Sequence, residues 1–404
     1  MDRLFLADYQ SEVLFLLVGT NPLPNYVSAR LLAADGATIY LLHSTGTLKV
    51  AERLQRLLSR TRPDVTTVPR EIDEADGDKI VTKINEILQG IGLAGKRVGL
   101  NYSGGTKSMS VHAYYTLRKA FPSGCFSYLD ARSLSMVVDF GDQPVQWVRI
   151  GQNLPIDFRD LLSLHGYRIK SGPRVEALQP DLCHSIAQVH STSDGFKQWR
   201  DWVSTLDQAP TLPSPVRFPS LQPFLDACAR VCSGAVTEVE IARILGFKEF
   251  KSCSNFFDGG WLEHHVLSAM IDIKDKVNIL SYGSNFFIEP TGQKDMPSLE
   301  LDIAAMRGYQ LFAISCIATE EAEKKEDSTK PGRAKEHLFE AFVRARQLGG
   351  DEASIGLISC VKDAKRLERE IRRDWNEDRI LVLGQADLLS LPGRLTEWFE
   401  RANQ

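Results

Sequence analysis

Asn101-Tyr102-Ser103-Gly104-Gly105-Thr106-Lys107 sets two adjacent glycines among amide, hydroxyl and amine side chains, which is the inventory of an anion cradle. Gly104 and Gly105 let the backbone come close to a ligand, Ser103 and Thr106 offer hydroxyls, and Lys107 offers a positive charge. The spacing is not that of an NTP-binding P-loop, because Gly105 follows Gly104 where a lysine belongs. A second chemistry is carried by Glu263, Glu300 and Asp302, whose oxygens could hold a hard divalent cation. Glu300 and Asp302 are two apart and would share one face of a strand, a spacing that solvated strand residues also show.

These residues need elements to position them. Arg97 to Leu100 reads as a strand, and Ser110 to Leu117 carries apolar residues at helical spacing. The glycines therefore sit at a strand-to-helix turn, where unpaired N–H groups and the helix dipole favour an anion. Earlier in the chain, Glu12 to Gly19 is a continuous apolar strand, Thr20 to Asn25 a loop, and Tyr26 to Leu32 a helix. Thr38 to Leu42, the turn His43 to Thr47 and a helix over Leu48 to Leu58 repeat the scheme. A helix over Asp78 to Ile91 and strands over Gly124 to Leu129 and Ser135 to Phe140 complete an α/β, Rossmann-like, mostly parallel sheet. Such a sheet binds ligands at the carboxyl ends of its strands, where Thr20, Asn21, Ser44, Thr45 and Ser103 to Lys107 would line one crevice. No Gly-x-Gly-x-x-Gly follows the first strand, so NAD is not expected.

With 404 residues, 43% hydrophobic and 25% charged, the chain has the composition of a soluble protein of two or three domains. A net charge of −4 means that any nucleic-acid contact must come from a local basic surface. The 7 cysteines include no Cys-x2-Cys pair, and Cys228 with Cys232 on one helix face fits core packing better than zinc. No apolar run reaches the ~18 residues of a membrane span, and no secretory pattern opens the chain, so a cytoplasmic protein without a structural metal is expected.

Three regions are expected: 1–150, 151–254 and 255–404. The middle one reads as a linker with short helices near Phe158 to Leu164 and Gly195 to Leu206, then a small helical connector. Thr237 to Phe247 resembles the first half of a helix-turn-helix, with Thr237 and Glu240 as a capping box and Gly246 as the stop. Its second half, Lys248 to Phe257, has two lysines among aromatic residues, which is poor for reading DNA. In the last region Gly259-Gly260 opens a helix running to Ile271. Strands follow over Lys276 to Tyr282 and Asn285 to Glu289, then a hairpin of Ser298 to Met306 and Tyr309 to Ala318, and a helix over Ala334 to Leu348.

Val18 to Asn25, the Ser44-Thr45 turn and Asn101 to Lys107 together resemble the CARF (CRISPR-associated Rossmann fold) domains of the Can/Card effectors of type III CRISPR systems. Gly259-Gly260-Trp261-Leu262-Glu263, Glu300-Leu301-Asp302 and Leu348-Gly349-Gly350 resemble the PD-(D/E)xK (restriction-endonuclease-like) nuclease domain that follows it in that family. The resemblance implies a homodimer holding one cyclic oligoadenylate, usually the tetra-adenylate, across its two-fold axis. Thr20, Asn21, Ser44, Thr45, Ser103, Gly104, Gly105, Thr106 and Lys107 then become ligand contacts. It further implies hydrolysis of DNA or RNA with Mg or Mn, the metal being held by Glu263, Glu300 and Asp302.

One departure stands out. Where the family carries Glu-x-Lys, this chain has Ser315-Cys316-Ile317, losing an acid and a lysine. Lys335, with Glu336, is the candidate to supply the missing cation, and the charged loop from Glu320 to Lys335 could cover a substrate channel. The departure leaves room for a catalytically silent ligand-binding protein acting by sequestration or partner recruitment. A ligand-controlled DNA-binding regulator using Thr237 to Phe257, and slow cleavage of the bound cyclic nucleotide, are further readings.

Overall fold

Ser11–Val18 (β1) is apolar at nearly every position because helices cover both of its faces: Leu14, Leu16 and Val18 enter one core, and Val13, Phe15 and Leu17 another. The structure, a computed structural model, describes residues 4–93, 95–141, 143–232, 234–292, 298–319, 333–375 and 378–402. After β1 come α1 (Leu23–Leu32), β2 (Ala33–His43), α2 (Leu48–Thr61), β3 (Thr66–Glu71), α3 (Gly77–Gln89), β4 (Val98–Asn101) and α4 (Lys107–Ala120). Then follow β5 (Cys125–Asp130), β6 (Ser135–Phe140) and β7 (Gln146–Arg149). These seven strands form one sheet in the order β3-β2-β1-β4-β5-β6-β7. The pairs from β3 through β5 are parallel and the last two are antiparallel. The carboxyl ends of β2, β1 and β4 are thus neighbours, as a ligand crevice requires.

The chain continues with α5 (Phe158–His165), β8 (Tyr167–Ser171), α6 (Pro180–His190), α7 (Ser193–Val203), α8 (Gln222–Val231), α9 (Glu238–Ile244) and α10 (Trp261–Ile273). β9 (Ser281–Pro290), β10 (Leu299–Arg307), β11 (Gln310–Ile317), α11 (Arg333–Gly349), β12 (Ser354–Ser359), α12 (Ala364–Trp375), β13 (Ile380–Leu383) and α13 (Leu391–Arg401) complete it. The second sheet has the order β13-β12-β11-β10-β9-β8, with β11, β12 and β13 parallel and the other pairs antiparallel. The chain is therefore an α/β protein built on two mixed sheets.

The middle segment is more than a linker. β8 is the edge strand of the second sheet, paired with β9 from Tyr167 opposite Pro290. Helices α6 to α10 bury Trp199, Trp202, Phe224, Phe257 and Trp261 in the same core as Ile303, Phe312 and Ile358 of that sheet. Half of the expected capping box forms: the Thr237 hydroxyl accepts the Glu240 N–H, but the Glu240 carboxylate pairs with Arg243 instead of reaching back to Thr237. Gly246, at φ 77, is left-handed after the end of α9. No regular second helix follows it: Phe250–Cys253 is one tight turn and Phe256–Gly260 a wide turn running into α10.

Other corrections are local. The two strands expected over 276–289 are one, β9, and Val277 is buried in a turn after α10. β3 and β8 escaped notice because both are edge strands rich in charge, and Pro69 is tolerated only at an edge. The loop expected over 320–335 falls outside the described residues as far as 332. No described helix is long and apolar enough to cross a membrane.

Candidate ligand cradle and carboxylate cluster

The glycine turn is fixed from beneath. Buried Asn101 donates from Nδ2 to Ser127 Oγ (3.0 Å), while its Oδ1 accepts the Ser103 N–H (3.2 Å). Gly105, at φ 77, takes the left-handed conformation that glycine alone adopts cheaply. The turn lies against the loop after β1: a Cβ on Gly19 would stand 2.9 Å from the Gly105 nitrogen, and one on Gly104 would overlap the Leu17 carbonyl. Three glycines thus bring two loops into backbone contact. Buried Asn25 ties this junction from α1, donating to the Leu17 carbonyl at 2.9 Å. Its Oδ1 has no hydrogen-bond partner among the described residues.

The predicted contacts converge unequally. Thr106 is the N-cap of α4, accepting the Met109 N–H at 3.1 Å and donating to the Glu74 carbonyl at 2.5 Å, so its hydroxyl is already engaged. Ser103 Oγ accepts the Leu129 N–H at 2.6 Å, and Thr45 donates to Glu71 at 2.6 Å. Ser44 is buried as the cap of the turn before α2, where its N–H donates to Thr47. Thr20 and Lys107 are exposed and have no ion pair or side-chain hydrogen bond among the described residues. The Asn21 side chain points away from the glycines: its Oδ1 accepts the Leu23 N–H and its Nδ2 donates to Glu352 of the second unit. Beside Ser44 and Thr45 opens a recess of about 770 Å³ rimmed by Glu71, Asp73, Glu74, Lys79 and Lys83.

In the second unit Glu263 opens α10, Glu300 and Asp302 sit on β10, and the three carboxyls feel one another. Burial pushes Glu263 up to about 7, with Asp302 and Glu300 adding to the shift and the Arg174 guanidinium opposing it. Glu300 is raised by burial and then by Asp302, against Arg344. Asp302 Oδ2 accepts both the Ser315 hydroxyl (3.0 Å) and the Cys316 N–H (2.8 Å). Ser315 is therefore a donor to Asp302. Burial and the neighbouring carboxylates push the Cys316 thiol well above its ordinary range, so it is no nucleophile. The Lys335 ammonium donates to Glu370 of α12 at 3.0 Å.

A divalent cation suits these oxygen donors in kind, and it would relieve their mutual repulsion. Their placement does not suit it: among the described residues no three His, Cys, Asp or Glu side chains converge as a metal-holding group.

No protein-family model and no curated protein sequence matches the chain. Among solved structures, protein VC1899 from Vibrio cholerae aligns over 96% of this chain and 98% of its own, with TM-score 0.72 at 17% identity. Can2 from Sulfobacillus thermosulfidooxidans, solved in complex with cyclic tetra-adenylate, aligns over 98% of this chain and 99% of its own, with TM-score 0.68 at 18% identity. The fold is that of Can2. The likeness to Can2 spans both sheets and the helices between them, so the middle segment is part of the shared architecture.

Within this Can2-like fold, sequence reasoning missed Glu352 and Arg174. Glu352 lies beyond the Leu348-Gly349-Gly350 motif and reaches Asn21, 331 positions away, a contact that no local pattern announces. Arg174 touches His264 at 2.8 Å, one position from Glu263, and is the cation that opposes the raised Glu263.

Proposed function

We propose that this protein is a cytoplasmic, homodimeric effector of type III CRISPR antiviral defence that senses a cyclic oligoadenylate, cyclic tetra-adenylate being the first choice. The first sheet would be its CARF unit, and the second its PD-(D/E)xK nuclease-like unit. The observation that carries this reading is the close approach of Gly19 to Gly104 and Gly105 at the carboxyl ends of β1 and β4, within a fold shared with a cyclic tetra-adenylate complex. That approach presents backbone N–H groups and the start of α4, with exposed Thr20 and Lys107, to an anion.

The output we propose is hydrolysis of DNA or RNA phosphodiesters in the presence of Mg or Mn, with Glu263, Glu300 and Asp302 as the residues concerned. A second reading, a silent ligand-binding protein that sequesters the signal or recruits a partner, is favoured by the ties of Asp302 to Ser315 and Cys316 and by the distraction of Lys335 to Glu370.

Purified protein incubated with Mn and labelled single-stranded and plasmid substrates, with and without cyclic tetra-adenylate, tests both. Cleavage that needs the ligand and vanishes in Asp302→Ala supports the nuclease. Ligand binding without cleavage supports the silent reading, and no ligand binding sinks the sensor itself.

A further inference from the structure

Helix α2 carries Lys49, Arg53, Arg56 and Arg60 at intervals of four, three and four residues, a single helical stripe. At 1.5 Å per residue the stripe is about 16 Å long, the length of on the order of five nucleotides at 3.4 Å per strand step. The stripe forms one wall of a groove of about 850 Å³. The opposite wall comes from Arg159 and His165 of α5, Tyr167 at the start of β8, and Pro290 to Gly292 after β9.

Among the described residues Glu52 is the only acid lining this groove, against Lys49, Arg53, Arg56, Arg60 and Arg159. Arg60 pairs with Asp160, and Arg53 donates to the Leu164 carbonyl at 2.9 Å. Lys49, Arg56 and Arg159 have no ion pair or side-chain hydrogen bond among the described residues. Burial and the nearby Arg56 charge lower Arg53, so the crowding of like charges has a cost within the protein alone. A chain with a net charge of −4 that concentrates cations in one concavity has a local field for a polyanion.

We infer that the groove between α2 and α5 binds the sugar-phosphate backbone of a nucleic-acid strand. The inference rests on the nucleic-acid reading of the second unit for its partner, but it concerns binding and needs no cleavage. A concavity walled by a row of cations favours a strand over a lipid surface, which would meet a flat or convex face. The groove also leads towards the second unit's acids, because Pro290 at its rim lies three residues along β9 from Phe287, the partner of Glu300.

The test is fluorescence anisotropy of labelled single-stranded DNA, single-stranded RNA and duplex in EDTA, between about 50 and 200 mM salt. The full-length protein is compared with Arg56→Gln/Arg159→Gln and with Arg56→Glu/Arg159→Glu. The glutamine pair should weaken binding at least about tenfold and reduce the salt slope by about 1.4, two phosphates at 0.7 each. The glutamate pair should weaken it further, while cyclic tetra-adenylate binding by calorimetry and the melting temperature stay unchanged. If the glutamate pair does not fold, the neutral glutamine pair decides.

Unchanged affinity in the folded glutamine pair overturns the inference. So does absence of oligonucleotide binding by the parent protein, or preference for phosphatidylserine vesicles over all three nucleic acids. Ligand-dependent cleavage that survives unchanged beside such a result would overturn the groove and leave the nuclease reading standing.

Discussion

Asn21 and Glu352 join the two sheets: the Asn21 amide donates to Glu352 Oε2 across 3.2 Å, and Gly350 packs on the same asparagine. Glu352 is fully buried, its Oε1 has no partner among the described residues, and burial pushes its carboxyl up to about 7. An acid raised in the folded state takes up a proton on folding. Stability is then greatest below the ordinary carboxylate range, falls as pH rises towards about 7, and levels off above it. Glu352→Gln should remove that slope, amounting to about 3 kcal/mol across the window. Thermal melts from acidic to mildly basic pH check it, the variant melting higher than the parent above neutrality. An identical pH profile would show that Glu352 is charged when folded.

Gly104→Ala should open the cradle. The new methyl would meet the Leu17 carbonyl and stand 2.9 Å from the Gly19 nitrogen, and both obstacles are backbone. Overpacking of this kind costs about 1–3 kcal/mol, and cyclic tetra-adenylate affinity should fall at least about tenfold in calorimetry. Retained affinity would place the ligand away from this turn.

Lys107 and Thr106 are neighbours whose substitutions should differ in kind. Lys107→Ala removes an exposed charge and should weaken ligand binding with little change in melting temperature. Thr106→Ala removes the cap of α4 and should cost about 1 kcal/mol of stability, with Thr106→Ser restoring it. Paired melting and binding curves separate the two effects.

Lys335→Ala should leave any metal-dependent cleavage within about twofold of the parent, because its ammonium is held by Glu370. A loss of about a hundredfold, the scale of a catalytic electrostatic group, would bring Lys335 to the carboxylates in the active arrangement.

The first sheet was legible because parallel strands covered on both faces must be apolar throughout, and each is followed by a polar turn and an amphipathic helix, as in β1 with its loop and β2 with α2. The second was legible at its hairpin, where Gly308 at φ 60 marks the turn between β10 and β11. What escaped lies at edges, at long range and beyond Gly350, where no element was expected although β12 is an interior strand buried at every position. Tyr167–Ser171 alternates charge with half-buried residues as an edge strand does, and five such residues look like a loop. Val277 shows the opposite error: a short apolar run can fill a core from a turn as well as from a strand. The candidate residues were legible by type, but not their hydrogen-bond partners, so neither the engagement of Thr106 and Ser103 nor the pairing of Lys335 with Glu370 was foreseeable.

One apolar cluster runs without a break from Leu14 and Ile39 of the first sheet, through Phe158 and Leu161 of α5, to Phe286, Leu311, Leu338 and Ile355 of the second. The two units are consequently not interchangeable cassettes. A chimera that exchanged the first unit for that of a distant relative would have to recreate this whole seam of side-chain shapes at once. Ligand specificity, if the proposed cradle is the site, is therefore expected to diversify through the loops at the sheet edge, where side chains can change singly, and less by shuffling of whole halves.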